Sequence, residues 1–322
     1  MSGTGGPEVV ALGGGHGLAV TLRAVSSYAG RVTAVVSVAD DGGSTGRLRQ
    51  WWDGPAPGDI RRCLLALAGD GPDQKLWAQV LDHRFGEGDL AGHSLGNLVL
   101  VALSQILGDF GAATAEVGRL LGVSAHVLPA TTGPVELCAL VDGPTGPEEV
   151  RGQAKVAYSP SRVRRVWLRP PCPEAMEEAV DAVRTADQVV LGPGSLFTSV
   201  LAVCAVPAIR EALAERRHGR VYVCNLDHQI PETAGLGADD HVAALEEHGV
   251  VVDTVVCDPA SQVGQPSAAG PAGVDGPGAG LRTVAGWELV PASLANPNGH
   301  SHDPARLGVV LRGLAGTGPG SA

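Results

Sequence analysis

Residues Gly92-His93-Ser94-Leu95-Gly96 spell G-x-S-x-G, the pattern of a hydrolase nucleophile elbow. That chemistry needs the serine on a sharp turn directly after a strand, with the following helix supplying an oxyanion hole. The preceding residues, FGEGDLAGH, are broken by glycines and acids and hold no run of four apolar residues, so the strand is missing. Asp240 and His302 follow in the order a triad would need, but such a pair is close to guaranteed in any chain this long. The stretch reads better as a helix start, with Ser94 as N-cap of LGNLVLVALSQIL. Gly96 and Asn97 are poor helix formers in its first turn. Two explanations stand beside each other: an anion drawn to the helix N-terminus, near His93 and Ser94, or tight packing plus capping.

A second kind of chemistry is written in the glycine turns. Gly13-Gly14-Gly15-His16-Gly17 lies between the apolar run EVVAL and a helix-spaced LAVTLRAV. It is neither a true G-x-G-x-x-G, since Leu18 takes the sixth place, nor a P-loop. The turn is still able to aim backbone N–H groups at a phosphate, or to serve only as a tight turn. QVVLGPGSLFTSVLAV repeats the design, placing Gly192, Gly194, Ser195 and Thr198 as backbone and hydroxyl donors at a helix N-terminus. Two such turns at the carboxyl ends of parallel strands predict a shared crevice for a nucleotide or other phosphorylated ligand.

Asp40 and Asp41 follow the second apolar run, and three roles are open to them: contacting a ribose, holding a divalent metal such as Mg2+, or organising the turn through Gly43 and Ser44. Arg47 and Arg49 would balance a pyrophosphate or be solvated helix residues. In Pro57-Gly58-Asp59-Ile60-Arg61, Asp59 is an N-cap or a ligand contact.

The elements that must position these residues follow from composition and pattern. The chain has 322 residues, 44% hydrophobic and only 3% aromatic, with 46 glycines, so its core must be built from Ala, Val and Leu between many glycine turns. EVVAL (8–12) and RVTAVVSVA (31–39) are nearly continuous apolar runs, as buried parallel strands require, with a helix between them. A largely helical stretch follows to about residue 121. Apolar runs recur at 126–131, 136–141, 163–168, 188–191, 220–225 and 250–257, with helices expected near 174–186, 196–215 and 238–248. The alternation predicts an α/β fold, Rossmann-like and doubly wound, with a mainly parallel sheet and helices on both faces. Residues 8–315 are expected to form one domain, with a flexible loop at about 258–281, a final strand in LRTVAGWELV, a closing helix after His302-Asp303-Pro304, and disordered tails at 1–7 and 316–322.

The net charge of −11, without a basic block, argues against nucleic acid. No signal peptide or apolar run of membrane-spanning length is visible, which predicts a cytoplasmic protein. Six cysteines without a C-x-x-C pair read as small buried hydrophobes.

Taken in order, VVALGGGHGLAVTLRAV, VTAVVSVADDGGSTGRLR, PGDIRRCLLALA, GHSLGNLVLVAL, VLPAT, DQVVLGPGSLFTSVLAV, VYVCN and HDPARL resemble the YvcK/CofD-like family, and its YvcK branch in particular. The resemblance implies a Rossmann-like fold with a nucleotide site and adds Arg61 and Asn225 to the candidates. It implies binding of UDP-sugars such as UDP-N-acetylglucosamine, no established catalysis, and a role in cell-wall synthesis and shape on gluconeogenic carbon. The expected partners are a cell-wall enzyme or kinase and a second copy of the chain, with no certain cofactor. The related CofD branch implies the alternative, a Mg2+-dependent phospholactyl or phosphoryl transferase in which Asp40 and Asp41 hold the metal. Departures are His16 where the family usually has Thr, LDHQIPET (226–233) in place of a TQPGET-like segment, Ser301 in place of a basic residue, and the 258–281 loop. They fall on the C-terminal side of the site, so sugar specificity does not carry over.

Overall fold

The computed structural model describes residues 5–264, 283–284 and 286–315. The strands are β1 (Glu8–Gly13), β2 (Arg31–Val36), β3 (His126–Pro129), β4 (Glu136–Gly143), β5 (Gly146–Arg151), β6 (Val163–Arg169), β7 (Gln188–Leu191), β8 (Arg220–Val223), β9 (Thr254–Cys257), β10 (Thr283–Val284) and β11 (Trp287–Pro291). The helices are α1 (Gly15–Val25), α2 (Gly43–Leu48), α3 (Pro57–Ala66), α4 (Pro72–Asp82), α5 (Leu95–Leu107), α6 (Phe110–Leu120), α7 (Gln153–Ala157), α8 (Glu177–Thr185), α9 (Leu201–Cys204), α10 (Pro207–Glu215), α11 (Ala238–Glu247) and α12 (Pro304–Ala315).

The main sheet runs β10-β11-β9-β8-β7-β1-β2-β3. Its seven strands from β11 to β3 are parallel, and only β10 is antiparallel. Burial explains the apolar runs: Val9 to Leu12 of β1 and Val189 to Leu191 of β7 are at most 2% exposed because helices cover both faces. From β1 the chain steps outward one way to β2 and later the other way to β7. Right-handed crossovers therefore place α1, with α3 and α12 against it, on one face and α8 with α10 on the other. The reversal between β1 and β7 is the topological switch point, and both glycine turns leave from it.

The apolar runs at 136–141 and 163–168 do not join this sheet. They form a separate antiparallel sheet, β5-β4-β6, built around the hairpin that turns at Gly143-Pro144-Thr145-Gly146. Periodicity marks a strand but not the partner it pairs with. The small sheet docks through His248, whose Nε2 accepts the Val166 N–H at 2.9 Å while its Nδ1–H donates to the Ala244 carbonyl. Other corrections are local. The 196–215 helix is broken: a π-helical turn (Leu196–Val200) leads into α9, and Pro207 opens α10. The loop expected from residue 258 begins as a fixed turn, with Asp258 Oδ2 accepting the Leu294 and Ala295 N–H groups; residues 265–282 lie outside the described residues. In the N-terminal tail, Pro7 accepts the Gly30 N–H. Residues 1–4 and 316–322 lie outside the described residues. Among the cysteines only Cys172 is exposed, and the other five are buried. No single helix among the described residues is long and apolar enough to cross a membrane.

Candidate functional site

The two glycine turns touch. A Cβ at Gly17 would overlap the Pro193 carbonyl and lie 2.8 Å from Gly194 Cα, so Gly13–Gly17 and Gly192–Gly194 pack backbone to backbone above β1 and β7. Asn225, just past β8, fixes the second turn: its Oδ1 accepts the Gly194 N–H at 2.8 Å and its Nδ2 donates to the Gly194 carbonyl at 2.9 Å. Together they wall a cavity of about 250 Å3, also lined by His16, Leu226, His228 and His300. A larger groove, about 640 Å3, opens at the amino ends of β1, β2 and β3, bordered by α6 and α8. It has no glycine turn, and in open α/β sheets ligands bind beyond the carboxyl ends, so the smaller cavity is the candidate site.

Beyond the ends of β1 and β2 lies an acidic corner. Asp59 is in the first turn of α3, not at its cap, which falls at Ala56. It is 3% exposed, pressed against Gly14, bonded to the Gly15 backbone and paired with Arg62 at 2.5 Å. Burial pushes its carboxyl up to about 6 from 3.8, against the pull of Arg62 and with a smaller push from Asp40. Because the folded pKa is the higher one, the native state holds the proton more tightly. Stability from this group is full below about pH 4 and falls as pH rises through about 6. Asp59→Asn removes that loss. Urea unfolding should show the variant gaining on the parent from near zero at pH 4 to about 3 kcal/mol at pH 7. A difference that is flat with pH would contradict this account.

Asp40 and Asp41 part company. Asp40 accepts the Gly42 N–H and the Thr45 hydroxyl, each at 3.0 Å, which closes the turn into α2. Asp41 turns away, and its Oδ1 accepts the Ala154 N–H at 2.9 Å at the start of α7. The two carboxylates are committed to different elements and do not offer a metal a shared pair. No group of three or more His, Cys, Asp or Glu side chains gathers as a metal site among the described residues. The acidic neighbour that influences Asp59 is Asp40.

Past β2 the site turns basic. Ser44 Oγ accepts the Ser94 N–H at 3.4 Å and lies 3.1 Å from His93 Nδ1, joining the α2 turn to the start of α5. Arg47 reaches Gly92, and Arg84 donates to the Gly92 carbonyl at 2.7 Å. Partial burial and these two arginines lower the His93 pKa. Neither Arg47 nor Arg84 has an ion-pair partner among the described residues. Arg84 escaped the sequence reading because nothing around it marks it; its isolated bridge to Ser94 brings it in from a loop.

Four candidates serve the scaffold. Ser94 begins α5 as expected, but it is 0% exposed and its Oγ donates to the Leu81 carbonyl at 3.3 Å instead of capping the helix. A serine sealed in this way cannot attack a substrate, which removes the hydrolase reading. Arg61 is 5% exposed, donates to Asn97 Oδ1 at 3.1 Å and pairs with Asp82. Arg49 donates to the Val135 carbonyl. The poor helix formers Gly96 and Asn97 are therefore explained by packing: Gly96 leaves room for the Leu81 carbonyl and the Arg61 side chain.

At the second turn Ser195 and Thr198 stand as donors, but the Glu232 carboxyl group already takes them, while the Gly192 and Gly194 N–H groups go to the Leu12 carbonyl and to Asn225. The Glu232 carboxylate, 4% exposed, accepts the Phe197 N–H at 2.8 Å, the Thr198 N–H at 3.2 Å, and the Ser195 and Thr198 hydroxyls at 2.6 and 3.2 Å. Ser195 also accepts the Thr198 N–H as cap of the π-helical turn. The signal for Glu232 was in LDHQIPET, but a glutamate in a loop carries no mark of its tertiary partner.

Residues 9–271 match the family model described as 2-phospho-L-lactate transferase CofD. The chain belongs to the YvcK/CofD-like family. It is 44% identical to a putative gluconeogenesis factor of Mycobacterium tuberculosis (strain ATCC 25618 / H37Rv), over 98% of this chain and 92% of that protein. It is 43% identical to the gluconeogenesis factor of Bacillus subtilis (strain 168), over 75% of each. Among solved structures, a UPF0052-family protein from Bacillus halodurans superposes with a TM-score of 0.81 at 34% identity, covering 96% of this chain and 99% of that one. This YvcK/CofD-like chain has the α/β fold expected of it.

Proposed function

We propose that this chain is a cytoplasmic nucleotide-sugar-binding regulator that links the level of a UDP-N-acetylglucosamine-like ligand to cell-wall synthesis and cell shape during gluconeogenic growth. The observation that carries the binding half is the contact between the two glycine turns at the switch point, which walls a cavity with His16, Asn225 and Leu226 beyond the carboxyl ends of the strands. The regulatory half is drawn from the gluconeogenesis-factor relatives. Under this reading His16, Gly17 and Asn225 face the ligand, and Ser44, Arg47 and His93 hold its charged end.

The transferase reading draws on the family model's description and needs Mg2+ at the acidic corner. Mg2+ is usually bound by one or two carboxylates plus phosphate and water oxygens. With Asp41 tied to α7, that role would fall to Asp40 beside Asp59. Calorimetric titration with UDP-N-acetylglucosamine, UDP-glucose, GDP and NAD, with and without Mg2+, followed by product analysis, separates the readings. Saturable UDP-sugar binding with intact ligand is the expected result. Preference for GDP, or Mg2+-dependent breakdown, would replace it with the transferase.

A further inference from the structure

The same turn motif occurs twice, and at its second copy the helix-start donors are already taken. At the second copy, a continuous helix from Leu196 to Cys204 presents two backbone N–H groups and two hydroxyls, and Glu232 occupies them all. The segment bearing Glu232 is built in. Thr233 is 0% exposed, and its N–H and Oγ1 bond Gln229 at 2.7 and 2.9 Å. The Gln262 N–H closes on the Leu226 carbonyl at 2.9 Å. A ligand phosphate here would find the Phe197 and Thr198 N–H groups and the Ser195 and Thr198 hydroxyls already bonded to Glu232, which fills the space a phosphate would need. Beyond β2, at the start of α5, Arg47 and Arg84 stand without ion-pair partners among the described residues, both at Gly92, next to His93 and Ser44.

We infer that the Glu232 carboxyl group is a permanent internal occupant of the cradle of the second glycine turn, so that the phosphates of a bound nucleotide go to Arg47, Arg84 and Ser44 at the start of α5. This rests on the nucleotide-binding reading and adds a polarity to it. The charged end of the ligand lies beyond β2, and uncharged groups lie over β7 and β8 in the cavity of His16, Asn225 and Leu226. Arg84 becomes a phosphate-binding residue, and Glu232 sets selectivity by exclusion.

Inorganic pyrophosphate is the probe, titrated by calorimetry into the full chain and its variants. The parent should bind one equivalent. Arg84→Ala, at an exposed position where folding is not at stake, should weaken pyrophosphate and UDP-N-acetylglucosamine alike by at least tenfold. Glu232→Ala should empty the cradle and add a second pyrophosphate equivalent, whereas Glu232→Gln, which still fills the space, should add none. Unchanged pyrophosphate affinity in Arg84→Ala, or a folded Glu232→Ala that gains no equivalent, overturns the inference. If Glu232→Ala fails to fold, the Arg84 arm decides. Pyrophosphate binding in the stated pattern without UDP-sugar binding would sink the proposed ligand and leave this assignment standing. UDP-sugar binding indifferent to Arg84 would do the reverse.

Discussion

Gly17→Ala is expected to lower nucleotide affinity at least a hundredfold and to destabilise the fold by roughly 3 kcal/mol, the cost of forcing a methyl group into a close-packed contact. The new Cβ would overlap the Pro193 carbonyl and lie 2.6 Å from its carbon and 2.8 Å from Gly194 Cα. All of these are backbone atoms, held in turn by Asn225, so no flexible side chain is there to swing aside. The two turns must separate, and the crevice they wall must open. Gly15→Ala is the control. Gly15 has φ +62° and nothing within 4 Å of its Cβ position, so alanine there meets only the left-handed backbone cost, about 1 kcal/mol. Thermal unfolding and calorimetry should rank the variants parent, Gly15→Ala, Gly17→Ala in both properties. If Gly17→Ala binds like the parent, the contact between the turns does not form the site.

That contact also shows which parts of the site could be read before the structure. Two glycine turns after apolar runs are local patterns, and the turns, the strands beneath them and the order of the first β-α-β unit follow from local rules. What fills a turn is not local. Ser195 and Thr198 were legible as donors, but their acceptor is Glu232, more than 30 residues away. The Asp40-Asp41 pair left three roles open, a shared metal among them, because neighbours in sequence are easily imagined as neighbours in space. Successive residues in extended chain point to opposite sides, and here one closes the α2 turn while the other starts α7. The same limit hid the small antiparallel sheet, since an apolar run specifies a strand without naming its partner.

The arginines test this division between scaffold and site most severely. Arg61, a candidate from the family resemblance, and Arg47, read from its place after a glycine turn, sit in opposite environments in the structure. Arg61 is buried between α3, α4 and α5, where it supplies the donors for Asn97 and Asp82 and packs its stem under Gly96. Truncating one partner of such a network leaves Asn97 Oδ1 unsatisfied and opens a cavity, so Arg61→Ala should cost about 3 to 5 kcal/mol. Arg61→Met restores the volume but not the donor and should recover part of that loss, leaving about 1 to 3 kcal/mol for the unmet acceptor. Arg47 is partly exposed, and Arg47→Ala should change stability by less than about 0.5 kcal/mol. It should still lower nucleotide affinity tenfold or more, because a bound phosphate loses a charge-assisted hydrogen bond. Urea unfolding and calorimetric titration of the three variants should therefore cross: large ΔΔG at Arg61, large affinity loss at Arg47. Arg61→Ala that folds with parental stability would break the scaffold assignment. Arg47→Ala with unchanged nucleotide affinity would move the phosphates away from the start of α5.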